Sequence, residues 1–114
     1  MTGISTHVLD LSRGVPAPGV GVEIEIAGAG GAWTLLGSIP TDADGRIKNL
    51  LPTGTALTVG TYRLRFTTGD YWHKQSLTTF HPLIEVTFTV TDASRHHHVP
   101  LLISPFGYST YKGT

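Results

Sequence analysis

The sequence predicts an all-β protein, built as an antiparallel β-sandwich. Apolar and polar residues alternate with a period of two in segments 20–27, 62–67 and 84–91, which is the pattern of strands with one buried and one exposed face. Clusters of Gly and Pro separate the alternating segments and mark the turns between them. About seven or eight short strands joined by such turns are typical of a sandwich.

Each strand can be placed from this pattern. The strongest alternation puts Val22 and Ile24 on one face of the first long strand, and Leu64 and Val86 on the corresponding faces of the next two. Weaker alternation predicts further strands over residues 4–10, 33–39, 46–48, 96–104 and 106–113.

Segment 70–82 lacks alternation and predicts the one helix. Asp70 can cap a helix of about two turns, and the pair His81-Pro82 would end it. The sequence shows no internal repeat and no linker.

Size and composition restrict the class of protein. A chain of 114 residues is expected to form a single domain over residues 1–114 and can bury roughly two-thirds of its unfolded surface. Eight basic and eight acidic residues cancel, and no Lys/Arg cluster offers a face for nucleic acid. The charged fraction of 14% is low enough to suit a chain that hides further surface in an oligomer.

Redox and targeting signals are also missing from the sequence. Without cysteine the chain has neither disulfides nor thiolate zinc sites. No apolar run approaches the ~20 residues that span a bilayer, and residues 1–7 do not read as a secretory signal. A cytoplasmic protein without a membrane partner is expected.

The last long strand predicts an outward-facing histidine. Val99, Leu101 and Ile103 share one face, the obvious core face, so His98 points the other way together with Leu102. The first strand gives the same result for His7, because Ile4, Thr6 and Val8 form its inner face. A partly apolar outer face that carries both histidines indicates a partner surface, and symmetric self-association is the commonest kind.

The run of three histidines at 96–98 raises the possibility of a metal site. His96 and His98 project together while His97 opposes them, so at most two of the three can bind one ion. A catalytic zinc needs a third protein ligand, which only packing of His7 could supply. We expect no metal at this cluster. The alternative to any functional site is that these are ordinary surface histidines.

Two other segments allow a functional and a structural interpretation. Residues 42–46 resemble the start of a calcium loop but lack its later ligands, so a tight turn with Gly45 at positive φ is preferred. Arg46 follows that turn, either as a surface residue or as a planar cation aimed at a ligand. The tail residues Ser109 and Tyr111 can hold a flat heterocycle or simply form an edge strand.

Four blocks of the chain together resemble the transthyretin-related 5-hydroxyisourate hydrolases. They are residues 5–10 with Gly14 and 16–17, residues 41–47, residues 66–71, and the C-terminal block 96–114. The resemblance implies a transthyretin-like sandwich of two four-stranded sheets with one short helix. It also implies a homotetramer with active sites at the dimer–dimer interface.

The resemblance implies an activity and a set of site residues. The activity is opening of the ring of 5-hydroxyisourate in urate degradation, without cofactor or metal. His7, Arg46 and His98 would be catalytic, with His7 and Arg46 also holding the substrate. The tail would contribute further substrate-binding residues: Ser109, Tyr111, Lys112 and Thr114.

Three departures from the family pattern and two rival functions remain open. Lys112 and Thr114 replace the usual Arg and Ser of the tail, and Lys loses the bidentate fork of Arg. His97 replaces the usual Tyr. The rivals are a transthyretin-like carrier of a small ligand, for which an apolar channel would be expected, and a structural β-sandwich module.

Overall fold

The computed structural model describes residues 2–114, which form two β-sheets and one short helix. The strands of this described part, in chain order, are β1 (Ile4–Asp10), β2 (Val15–Pro16), β3 (Gly21–Ala27), β4 (Trp33–Pro40), β5 (Arg46–Ile47), β6 (Gly60–Phe66), β7 (Ile84–Val90), β8 (His97–Ser104) and β9 (Gly107–Thr110). The helix α1 covers Thr68–His73, and a 3-10 turn covers Ala29–Gly31. The predicted all-β class with one short helix is confirmed.

The two sheets differ in size. One has the order β4-β3-β6-β7, with antiparallel pairing throughout. The other has the order β2-β1-β8-β9, and β5 pairs with β1 outside that order, which gives five strands where the resemblance implied four. The two-residue strand β2 was not predicted, because Val15 and Pro16 lie in a Gly- and Pro-rich segment that is typical of a turn.

One strand pair departs from the antiparallel rule. The strands β1 and β8 run parallel, with Ser5 opposite His98 and His7 opposite Pro100. These strands come from opposite ends of the chain, so no hairpin forces them to be antiparallel. Their pairing brings the N-terminal and C-terminal histidines together.

The core lies between the sheets and is filled by the inward residues of the alternating strands. Val22, Ile24, Leu64, Leu101 and Ile103 are fully buried. Burial of each such side chain stabilises the fold by roughly 1.5–3 kcal/mol. This core fixes which face of β1 and β8 points outward.

The helix differs from its prediction in both bounds. It covers Thr68–His73, so Asp70 lies inside its first turn and does not cap it, although an acidic residue is favourable there. The chain leaves the helix through Ser76, whose φ is 57°. The amide of Gly69 donates to the Pro82 carbonyl at 2.8 Å, so the His81-Pro82 pair packs back against the start of the helix instead of ending it. Among residues 2–114, no helix is long and apolar enough to cross a membrane.

Candidate active site

The site lies on the outer face of the five-stranded sheet, where β1 and β8 meet. On β8, Val99, Leu101 and Ile103 are buried while His98 is half-buried on the opposite face. On β1, Val8 is buried and His7 is half-buried. The predicted outward direction of both histidines is therefore observed, and their parallel register places them two positions apart along neighbouring strands.

A rigid turn positions Arg46 beside His7. One carboxylate oxygen of Asp42 accepts from the amides of Asp44 and Arg46, both at 2.9 Å, and the amide of Arg46 is the main cause that lowers the pKa of Asp42. Gly45 has a φ of 72° and lies so close to β1 that a Cβ would come within 2.5 Å of the Val8 carbonyl oxygen. This is the tight turn that the sequence favoured over a calcium loop.

Strand pairing then fixes the neighbour of Arg46. His7 and Arg46 are directly opposite in the β1–β5 ladder, and such cross-strand side chains lie about 4.5–5.5 Å apart at Cβ. His7 Nε2 lies 2.9 Å from the carbonyl oxygen of Asp44. Because a carbonyl only accepts, Nε2 of His7 carries a proton, and the neutral ring keeps its lone pair on Nδ1.

A cavity of about 300 Å³ opens beside these strands. Its polar and charged lining consists of Ser5, Thr6, Arg46, Lys48, His96, His98 and Thr114. The cavity thus brings together three predicted site residues, Arg46, His98 and Thr114, while His7 stands next to Arg46 outside the lining. The lining carries two permanent cations and suits an anionic or carbonyl-rich ligand.

The environment of His98 favours its neutral form. Burial is the largest cause that lowers the pKa of His98, followed by the electrostatic effects of Arg46, His7 and His96. An imidazole that stays neutral near neutral pH keeps a free ring nitrogen, so His98 can act as a general base.

Ser5 and His96 complete the surroundings of His98. The Ser5 hydroxyl lies 2.8 Å from His98 Nδ1 and 2.8 Å from His96 Nε2. His97 points to the other side, is buried, and donates from Nδ1 to the Arg95 carbonyl at 2.9 Å. This is the alternation that the sequence predicted for the three histidines. The described residues hold no group of three His, Cys, Asp or Glu side chains that could bind a metal ion.

The tail residues are divided between the site and its surroundings. Gly113 donates its amide to the His98 carbonyl at 2.8 Å, which holds Thr114 at the cavity. Tyr111 and Lys112 line a neighbouring cavity of about 210 Å³ between β7 and β8. Ser109 pairs with Leu102 and lines neither cavity.

Sequence reasoning did not assign Ser5, Lys48 or His96 to the site. Period-two alternation offered a signal for each, since Lys48 is two residues from Arg46, Ser5 is two from His7, and His96 is two from His98. That signal gives a shared face, but contact across strands depends on the register.

Comparison with known proteins places this geometry in context. The HIUase/Transthyretin family model matches residues 4–113. The 5-hydroxyisourate hydrolase of Salmonella dublin is 48% identical over 111 residues, which cover 97% of this chain and 80% of that protein. The solved structure of Klebsiella pneumoniae 5-hydroxyisourate hydrolase superimposes with a TM-score of 0.86 at 33% identity, over 100% of both chains. Sea bream transthyretin in complex with thyroxine superimposes with a TM-score of 0.88 at 35% identity, over 97% of this chain and 94% of that one.

Proposed function

The chain belongs to the HIUase/Transthyretin family, and on that premise we propose that it is a hydrolase in urate degradation. It opens the ring of 5-hydroxyisourate, the substrate in the names of its relatives. The product implied by the family resemblance is 2-oxo-4-hydroxy-4-carboxy-5-ureidoimidazoline. The observation that carries the proposal is the cavity in which a half-buried His98 faces Arg46 and Lys48.

Hydrolysis of a ring amide needs three things from this site. A water must lose a proton as its oxygen attacks the carbonyl carbon, the developing oxyanion must be stabilised, and the flat ring must be held. In our proposal His98 is the base, since its lowered pKa keeps it neutral. As the ring C–N bond breaks, His98 gives the proton it took from water to the leaving ring nitrogen. The new carboxylic acid then loses its proton to the solvent and becomes a carboxylate.

Arg46 and His7 serve the carbonyl side of the reaction. Arg46 lines the cavity on a rigid turn, where a fixed guanidinium is worth several kcal/mol to a developing oxyanion. His7 lies beside it and has its proton held on Nε2 by the Asp44 carbonyl, so Nδ1 is available to orient the water. Neither role requires a metal or cofactor.

The tail frames the substrate in this scheme. Thr114 reaches the cavity of His98 directly, while Tyr111 and Lys112 border it from the neighbouring cavity. Ser109 lines neither cavity in the single chain, so any contact of Ser109 with substrate would have to come from assembly.

We also propose that the protein works as a cytoplasmic homotetramer, with its sites at the dimer–dimer interface. In support, the outer face that carries the site also presents Leu9 and Leu102, both only partly buried. A sheet face of this kind suits a second copy of the chain.

The transthyretin fold alone does not separate a hydrolase from a carrier. The thyroxine complex of a structural relative shows that this fold can bind a small ligand. Here Arg46, Lys48 and two histidines line the cavity, whereas a carrier of apolar ligands would need apolar walls. We therefore expect catalysis.

The test is the decay of the substrate itself. Urate oxidase generates 5-hydroxyisourate in situ, and absorbance follows its disappearance with and without this protein. We expect decay well above the spontaneous rate and proportional to protein concentration. An Arg63→Ala variant serves as a control, because Arg63 pairs with Glu25 on the other sheet. Decay at the spontaneous rate would refute the proposal.

A further inference from the structure

The Ser5 hydroxyl lies between two imidazoles. Its oxygen is 2.8 Å from His98 Nδ1 and 2.8 Å from His96 Nε2. Ser5 is opposite His98 in the β1–β8 ladder and only 9% exposed. The pairing of the two strands therefore holds the Ser5 hydroxyl next to the His98 ring. His96 is exposed to solvent at the start of the chain segment that leads into β8.

The proton count at this junction allows only two arrangements when both rings are neutral. A hydroxyl has one proton to donate and accepts from the other side, so one ring must donate to Ser5 and the other must accept from it. If His98 donates from Nδ1, its Nε2 carries the lone pair. If His96 donates instead, His98 is protonated on Nε2 and cannot act as a base at that atom.

We propose that Ser5 and His96 are positioning residues that hold His98 in its Nδ1–H tautomer and form a reversible proton relay from His98 to the exposed His96. The inference rests on the proposed hydrolase function for its catalytic meaning. It does not rest on that function for the hydrogen-bond chain itself, which is a property of the resting protein.

The relay moves one proton from the attacking water to His96. The attacking water transfers a proton to Nε2 of His98 as its oxygen bonds to the carbonyl carbon. His98 passes the Nδ1 proton to the Ser5 oxygen, and Ser5 passes its own hydroxyl proton to Nε2 of His96. The positive charge then lies on exposed His96. When the ring C–N bond breaks, His98 gives its Nε2 proton to the leaving nitrogen, Ser5 returns a proton to Nδ1 of His98, and His96 returns one to Ser5. These transfers restore the starting tautomers, and the new carboxylic acid loses its proton to water.

The surrounding charges favour this direction of transfer. The groups that face His98 are His7 on β1, Arg46 on β5, Lys48 beyond it in the cavity lining, and His96. Burial of the ring is the largest cause that lowers the pKa of His98, and Arg46, His7 and His96 act in the same sense. Moving the proton to exposed His96 relieves this cost.

A direct test measures the tautomer of His98 by NMR and does not depend on enzymatic activity. In the full chain labelled with ¹⁵N at histidine, the ring nitrogen shifts and their two-bond couplings distinguish Nδ1–H from Nε2–H, with His98→Asn used to assign the signal. We expect Nδ1–H in the wild type and loss of that preference in Ser5→Ala. A wild-type His98 that carries its proton on Nε2 would overturn the proposal.

A second test measures how kcat and its pH dependence change when the relay residues are replaced. Ser5→Ala should lower kcat by about tenfold, the cost of roughly one lost hydrogen bond to a working base, and Ser5→Thr should restore most of it because the hydroxyl returns. His96→Gln keeps a polar group but cannot take up the proton. It should lower kcat and also move the acid limb of the kcat/KM profile to higher pH, because one of the charges that lowers the pKa of His98 is gone.

Matched controls are His73→Gln in α1 and Ser38→Ala in β4. Both residues are exposed and neither lines the cavity, so kcat and the pH profile should be unchanged. Wild-type kcat and pH profile in Ser5→Ala would refute the relay. If the wild type does not accelerate 5-hydroxyisourate decay, the hydrolase proposal fails, and the tautomer measurement still decides the Ser5 hydrogen-bond chain independently.

Discussion

Gly113→Ala tests whether the C-terminal tail sets the position of His98. An added Cβ would lie 2.6 Å from Cδ2 of His98 and 3.2 Å from its Cβ and Cγ. Carbon atoms in contact prefer about 3.5–4.0 Å, so the ring or the tail must move by roughly 1 Å. The ring of His98 cannot rotate away without losing a contact, because its Nδ1 is hydrogen-bonded to Ser5.

A displacement of this size should lower the rate of catalysis strongly and change the stability of the fold only slightly. A misplacement of about 1 Å at a catalytic group can reduce the rate by ~10²-fold, so we expect kcat/KM for 5-hydroxyisourate to fall about 100-fold. The free energy of unfolding should change by less than about 1 kcal/mol, because the tail is exposed.

The assay compares 5-hydroxyisourate decay and urea unfolding for the variant and a matched control. Gly28→Ala is that control, since Gly28 has an extended φ of −112° and its Cβ would meet nothing closer than the Ala32 carbonyl oxygen at 3.5 Å. If Gly113→Ala keeps the wild-type kcat/KM, the tail does not position His98 and this reasoning is wrong.

Three further predictions follow from the same structure. Arg46→Ala should reduce kcat by ~10²–10³-fold, and Arg46→Lys should recover only part of it because the planar fork is lost; steady-state kinetics measure both. The plateau of kcat/KM should extend below pH 6.5, roughly the ordinary histidine pKa, and kcat/KM should fall only as the pH drops through the lowered pKa of His98. A fall in kcat/KM that begins above the ordinary histidine pKa would contradict the assignment of His98 as the base. Tyr71→Phe removes a buried 2.7 Å hydrogen bond to Asp10 and should cost about 1–3 kcal/mol of unfolding free energy, measured in urea, with unchanged kcat.

Much of the fold could be predicted because alternation is a local signal. Strand β3 and strand β7 lie where the period of two placed them. The helix was placed less well, because the return of Pro82 to Gly69 is a tertiary contact that leaves no local pattern. The parallel pairing of β1 with β8 depends on residues from opposite ends of the chain, so the local pattern could not supply it.

The site could be predicted in part for the same reason. The buried neighbours of His98 and His7 fixed their outward direction, whereas the juxtaposition of Arg46 with His7 follows from a register that only the resemblance anticipated. Ser5 illustrates the limit, because its face was predictable while its position between two imidazoles was not.

The central claim is that an outward His98 activates the water that opens the substrate ring. The most direct measurement is the initial rate of 5-hydroxyisourate decay with His98→Asn against the wild type at equal concentration, with the fold of both checked by circular dichroism. We expect the variant to lose at least roughly 10²-fold of the catalysed rate, the lower end of what a general base contributes. A folded His98→Asn protein that hydrolyses 5-hydroxyisourate at the wild-type rate would contradict the assignment of His98 as the base.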